Sequence, residues 1–329
     1  MTIPLDTIPR FAPDEAIDAA EREYGIRGDA TPLPSERDQN FLIASPGPVK
    51  HVLKIANLSD PPELLDFQNQ AMRRVLLAGV GCRVQEVVRS LRGRDIERVR
   101  NARTGREHCL RLLTWIDGQV LAGVPVRSAR LLESVGAGLA KVDVALGGFT
   151  HPAMHRVLQW DIRHAPMAGE HLQLLPAARR ARIERHFARW RTIDWRLLRH
   201  GVIHGDVNDH NLLVQDGRMT ALLDFGDMAV TAVVCELAIA LAYVMLGEAR
   251  PLEAAAQVAR AYQCVHALSD VERRALPILV LSRLAMSVCY SAHNRVRNPH
   301  DPYQVVSESA AWELLDRLEP HAADGTLTL

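Results

Sequence analysis

Little in this 329-residue chain is biased toward one class of partner. Neither charge prevails. The chain has 39 Lys and Arg against 39 Asp and Glu, so no global field favours nucleic acid or an anionic membrane. Its five cysteines (Cys82, Cys109, Cys235, Cys264 and Cys289) are scattered, with no Cys-x-x-Cys and no zinc spacing. That excludes a disulfide framework and a zinc module, and it fits reduced thiols in a cytoplasmic protein. Long hydrophobic runs are missing. Val233 to Leu246 is apolar, but it contains Glu236 and is short for a bilayer span. The first residues carry prolines and acids, not a basic and then apolar leader. There is no internal repeat and no low-complexity tract. Arg89 to Arg111 is rich in arginine, but Asp95, Glu97 and Glu107 interrupt it and no aromatic interleaves it. This pattern predicts a solvated face on strand turns, not a nucleic-acid surface.

What is present is the profile of a soluble globular protein, 48% hydrophobic and 24% charged, long enough for one large domain or two moderate ones. Asp14 to Tyr24 predicts an amphipathic helix capped by Asp14 and stopped by Gly25. Strands are expected at Asn40 to Ala44 and Val49 to Ile55, joined by Ser45-Pro46-Gly47-Pro48. A helix follows over Leu64 to Ala78, then strands near Arg83 to Val88 and His108 to Leu113. From Ser128 onward the spacing turns helical, over Ser128 to Gly147, Arg179 to Trp190, Val233 to Leu246, Glu253 to Val265, Asp270 to His293 and Ser307 to Leu318. Trp115-Ile116-Asp117-Gly118 marks the change of texture. The expected organisation is α+β and two-lobed: a small β-rich lobe over 1–114, a hinge over 115–118 and a larger helical lobe over 119–329. A cleft between such lobes is a common place for a ligand.

The chemistry concentrates in one stretch, His204-Gly205-Asp206-Val207-Asn208-Asp209-His210-Asn211, followed by Leu212-Leu213-Val214 and then Asp224-Phe225-Gly226-Asp227. Asp216-Gly217 between them is a strong turn pair. A hairpin centred there sets Asn211 roughly opposite Leu222, so Asn211 and Asp224 emerge at one open end. Asp206 precedes the first strand and can face the same space. Each residue alone reads as an ordinary turn residue. The ordered set His-x-Asp-x4-Asn, hairpin, Asp-Phe-Gly matches the needs of phosphoryl transfer from a Mg-nucleotide. Asn211 and Asp224 suit Mg2+, which takes few oxygens from protein. Asp206 then orients or accepts the acceptor hydroxyl's proton. Lys54, inside the apolar run Val52-Leu53-Lys54-Ile55, is costly to bury without a partner. It suits a phosphate-holding cation, with Glu63, Asp66 or Gln68 on the next helix as possible partners.

These stretches, with Ser35-Glu36-Arg37-Asp38-Gln39-Asn40-Phe41, Gln68-Asn69, Asp227-Met228 and Ser282-Arg283-Leu284 to Ser287, resemble the aminoglycoside phosphotransferase and choline kinase group over nearly the full chain. Within that group the likeness is greatest to hydroxylysine kinases. The resemblance implies a protein-kinase-like fold, Mg2+ with ATP or GTP as donor, and a small amino alcohol such as 5-hydroxylysine as acceptor, with no nucleic-acid or membrane partner. It implies that Ser35, Arg37 and Asn40 cover the nucleotide phosphates, although the loop lacks Gly-x-Gly-x-x-Gly. It places Gln68 where the partner of Lys54 usually stands, nucleobase contacts near Trp115, and structural roles for His204 and Glu236. Asp209, Asp227 and Trp160 are the candidates for an acceptor ammonium. Arg163, Arg283 and Arg295 are the candidates for an acceptor carboxylate. Two other readings are an antibiotic kinase, disfavoured by the Arg and His content of Val157 to Glu170 and Ala275 to Arg297, and a non-catalytic pseudokinase, disfavoured because Lys54, Asp206, Asn211 and Asp224 are all present. The sequence leaves oligomeric state open.

Overall fold

The first helix, α1 (Pro13–Tyr24), starts at a proline, whose fixed φ suits an N-terminal turn. The capping differs from expectation. Asp14 lies inside the first turn, and Ala12 takes the cap position, its N–H donating to Glu15 Oε2 at 2.8 Å. The predicted stop holds: Gly25 adopts φ 70° and returns its N–H to Glu21 O at 2.9 Å. The structure, a computed structural model, describes residues 7–297, 299, 306–323, 327 and 329. It divides into two compact units. One comprises Met1–Leu77, Arg83–Asp117 and His151–Ala153; the other comprises Ala78–Cys82, Gly118–Thr150 and Met154–Leu329.

The first unit is built on an antiparallel sheet. Its strands are β1 (Asp29–Leu33), β2 (Gln39–Ala44), β3 (Lys50–Ile55), β5 (Val87–Val88), β6 (Glu97–Arg100) and β7 (Glu107–Thr114); α2 (Pro62–Leu77) and the short β4 (Arg83–Val84), which is not part of this sheet, lie between β3 and β5. The path runs β1-β2-β3-β7-β5, and β6 also pairs with β7. Two of these strands were not legible in advance. β1 contains Pro32, which only an edge strand tolerates well, and β6 is formed through its ladder with β7. Strand alternation sends Leu53, Ile55, Leu110 and Leu112 to the face that packs on Ala16, Ala19, Ala20 and Tyr24 of α1. It sends Lys54 and Arg111, cross-strand partners, to the opposite face.

The second unit begins with β8 (Gln119–Val120) and α3 (Ala129–Leu146), whose N-terminus is capped by Ser128 accepting from Leu131 N–H. Then come α4 (Ala177–Trp190), β9 (His200–Ile203), β10 (Leu212–Gln215), β11 (Arg218–Leu222), β12 (Ala229–Ala232), α5 (Val234–Val244), α6 (Pro251–Val265), α7 (Asp270–Arg297) and α8 (Glu308–Ala323). Helix α7 is long and apolar enough to cross a membrane by length and composition, but 89% of its most apolar window is buried inside the structure. It is the central core helix of this unit. Besides the expected hairpin, a second antiparallel pair forms: Ile203 lies opposite Ala229 and His200 opposite Ala232. These two strands have four residues each, too few for periodicity to reveal them.

Candidate active site

The hairpin of β10 and β11 turns on Asp216 and Gly217, with φ 52° and 67°. Both central residues are left-handed, the geometry that a two-residue hairpin loop requires. The register differs by one position from expectation. Leu212, not Asn211, lies opposite Leu222, because a bulge between Leu213 and Val214 offsets the ladder. Asn211 still sits at the open end, its carbonyl accepting from Leu223 N–H at 2.9 Å. Asp224 follows at once, held at φ 58°, ψ 79°. Gly226 gives its carboxylate room, since a Cβ there would stand 3.1 Å from Asp224 Oδ1.

The loop carrying Asp206 is locked from several sides. Gly205 adopts φ 82°, and any Cβ on it would meet Asp227 O at 2.4 Å, so only glycine fits this approach. Its N–H donates to Glu236 Oε2 at 2.9 Å. Glu236 is fully buried on α5, and burial pushes its carboxyl well above the usual range. His204 Nε2 lies 2.9 Å from Leu223 O, its Nδ1 accepts from Asp206 N–H at 3.3 Å, and its ring meets Phe225 edge-on at 4.7 Å. His204 and Glu236 therefore bind the Asp206 loop to the strand end and helix around it.

Asp206 itself is three-quarters buried, and three donors reach its carboxylate. Asn208 Nδ2 and Asn211 Nδ2 each lie 2.9 Å from Oδ2, and Arg283 lies 3.0 Å from Oδ1. Burial pushes its carboxyl up to about 7; Arg283 opposes the shift, and the nearby charges of Asp227 and Asp224 add to it. Asn211 also donates to Asp206 O at 2.8 Å, so both its amide hydrogens are committed and Oδ1 takes no part in these bonds.

Matches to known proteins agree with this arrangement. The model of the phosphotransferase enzyme family matches residues 29–277. The chain belongs to that family. Over 340 residues it is 29% identical to the hydroxylysine kinase of Mus musculus, covering 94% of this chain and 90% of the relative. A solved microcompartment-associated aminopropanol kinase superposes with TM-score 0.73 at 18% identity, covering 94% of this chain and 97% of that one. An amicoumacin kinase solved with AMP-PNP and Ca2+ gives TM-score 0.71 at 16% identity, covering 93% and 94%. The fold is thus the two-lobed α+β kinase-like fold expected, and the protein is a phosphotransferase with an alcohol group as acceptor.

The residues suit the divalent cation such enzymes use. Among the described residues no three His, Cys, Asp or Glu side chains cluster to hold a metal alone. One amide oxygen on Asn211 and one carboxylate on Asp224 fit Mg2+, which draws its remaining oxygens from phosphate and water.

Other predicted positions are engaged in ways that sequence did not show. Gln68 Oε1 accepts from Arg111 at 2.7 Å, and Asn69 Oδ1 accepts from the same guanidinium at 2.8 Å. Arg111 is 2% exposed, so the arginine run is not uniformly the solvated face expected of it. Its signal was the one noticed at Lys54: a cation between apolar neighbours, here Leu110 and Leu112. Arg92 and Arg94 in that run surround buried Glu97; burial would raise its carboxyl, but these guanidiniums and Ser90 bring it down to about 2. Asp66 takes Gln70 at 2.6 Å and His151 at 3.2 Å. Lys54 is buried at 7% exposure, and Asn40 is its cross-strand neighbour on β2. Asn40 Oδ1 is buried with no hydrogen-bond partner among the described residues. Ser35 lies on the loop before β2, where Arg37 pairs with Asp60 at 2.6 Å. Trp115 Nε1 donates to Asp117 at 2.8 Å, and its backbone N–H to Lys50 O at 3.1 Å.

Of the three residues expected beside the acceptor ammonium, Asp227 is near enough to Asp206 to act on its titration. Asp209 turns away to Arg127 at 3.4 Å, and burial raises its carboxyl against the pull of His210 and Arg127. Trp160 carries the guanidinium of Arg283 over its ring at 4.6 Å. Arg156, which sequence reasoning missed, donates to Gly226 O at 2.8 Å and so braces the Asp224 turn.

Proposed function

We propose that this phosphotransferase moves the γ-phosphate of a Mg-bound nucleoside triphosphate, GTP or ATP, to the side-chain hydroxyl of an amino alcohol, with 5-hydroxylysine as the acceptor. The observation that carries the reading is the Asp206 carboxylate. It is fixed by three donors beside Asn211, on the loop packed against the Asp224 turn. The acceptor oxygen forms a bond to the γ-phosphorus while the bond from that phosphorus to the bridging β–γ oxygen breaks. The nucleoside diphosphate leaves with the electron pair, and the hydroxyl proton passes to Asp206. Asn211 Oδ1 and Asp224 would hold Mg2+, whose charge would offset that on the phosphate oxygens. Lys54 is the proposed phosphate-holding cation of the first unit. Asp227 is the proposed partner of the acceptor's ammonium, since its carboxylate is near enough to Asp206 to act on it. The extended likeness to hydroxylysine kinase supports the choice of acceptor.

The test is a coupled assay with Mg2+ and either ATP or GTP. It offers 5-hydroxylysine, ethanolamine, 1-amino-2-propanol and a set of aminoglycosides to the wild type and to Asp206→Asn. The expected result is turnover with hydroxylysine, lost by at least ~100-fold in Asp206→Asn, with nucleotide affinity retained. Turnover of aminoglycosides alone, or full activity in Asp206→Asn, would overturn the reading.

A further inference from the structure

Resting on the reading of Asp206 just given, we infer that Arg283 is a positioning residue for phosphoryl transfer. It fixes the Asp206 carboxylate so that Oδ1 presents its remaining lone pair to the acceptor hydroxyl.

An ionised carboxylate offers two acceptor sites on each oxygen. Oδ2 receives both Asn208 and Asn211, each at 2.9 Å, and is full. Among the described residues Oδ1 receives Arg283 alone, at 3.0 Å, and has one site left. The incoming hydroxyl has only that site on which to place its hydrogen. Which oxygen takes the proton, and from which direction, is therefore set by the guanidinium.

Arg283 is built to hold still. It is 2% exposed, on the core helix α7. A second nitrogen donates to Trp160 O at 2.8 Å, and the guanidinium carbon lies 4.6 Å from the Trp160 ring and 5.4 Å from that of Tyr243. Trp160 is braced in turn by Tyr290, edge-on at 4.8 Å, and the Tyr290 hydroxyl donates to Gln159 O at 3.0 Å. A planar fork lying over the Trp160 ring with Tyr243 beside it has one orientation, which an ammonium on a flexible stem lacks. The same engagement removes Arg283 from the arginines open to an acceptor carboxylate.

The experiment compares full-length wild type with Arg283→Lys, Arg283→Met, Asp206→Asn, Asp206→Asn with Arg283→Lys, and Trp160→Leu. Acceptor phosphorylation and nucleotide hydrolysis with water as acceptor are both measured. Binding of a fluorescent nucleotide and thermal unfolding are followed alongside. In Arg283→Lys we expect kcat to fall about 30-fold or more, with nucleotide affinity within about 2-fold, because a misplaced reacting group loses rate before binding. Arg283→Met should fall further. The double variant should be no slower than Asp206→Asn within about 3-fold, since the two residues act as a unit. Trp160→Leu removes only the clamp, and should lose about 5- to 10-fold in kcat if the Arg283 variants prove too unstable to assay. Unchanged kcat in Arg283→Lys, a loss confined to acceptor KM, or multiplying losses in the double variant would overturn the inference and leave the role of Asp206 standing. Full turnover by Asp206→Asn would instead overturn the parent reading.

Discussion

Replacing Glu236 separates two things the structure says about the Asp206 loop. Glu236 is fully buried, and its Oε2 accepts from Gly205 N–H at 2.9 Å. Burial pushes its carboxyl well above the usual range, with Asp143 nearby adding to the shift, and so favours the protonated form. Its role is thus that of a neutral acceptor. Glu236→Gln keeps an oxygen at the same reach and no charge is lost, so stability and kcat should change little, within about 1 kcal/mol and a few-fold. Glu236→Ala leaves a buried N–H without a partner, which costs about 1–3 kcal/mol. The space left by the side chain adds about 2 kcal/mol more. A loss of about 3–5 kcal/mol is a large part of the ~5–15 kcal/mol that a domain has in total. Gly205 has nowhere to relax, because it lies against the Asp227 carbonyl, so the freed loop must shift and carry Asp206 with it. A displacement of about 1 Å at a reacting group lowers turnover on the order of 100-fold. Calorimetry and kcat on the folded fraction measure the two effects. If Glu236→Gln proves as damaging as Glu236→Ala, the group acts as an ion and the reasoning fails.

The other predictions concern metal and pH. Asp224→Ala removes one of the two proposed protein oxygens for Mg2+ and should abolish metal-dependent nucleotide binding, read by titration calorimetry with and without Mg2+; undiminished binding would contradict the assignment. Asp143 is buried beneath the Tyr262 hydroxyl, which donates to it at 2.5 Å, and burial raises its carboxyl to about 8. Because the unfolded chain ionises this group near pH 4, the folded state holds the extra proton between pH 4 and 8. Stability should fall over that window, by up to ~1.4 kcal/mol per pH unit. Asp143→Asn should make the slope shallower and raise the melting temperature toward pH 8; an unchanged slope would show that Asp143 ionises normally in the fold.

What sequence made legible here is what is local. The turn pair Asp216-Gly217 needs only its own backbone preference to form, and the spacing from His204 to Asp224 orders the candidate catalytic residues along one hairpin. Helices such as α3 and α7 announce themselves by periodicity, because each buries one stripe or one whole surface. Short elements escaped: β1 and β6 have no amphipathic signature long enough to read, and the bulge that shifts Leu212 onto Leu222 depends on the partner strand.

The state of each charged side chain was decided only in three dimensions. Arg283 reaches Asp206 across 77 positions, and Arg111 reaches Gln68 across 43. No spacing rule joins residues so far apart. Asp209 and Asp227 look alike in sequence, yet one is tied to Arg127 while the other acts on Asp206. A chain specifies which groups exist and in what local order. Burial and cross-element contact decide which are charged, which are held still and which remain open to a ligand, because desolvation and hydrogen-bond geometry belong to the packed molecule.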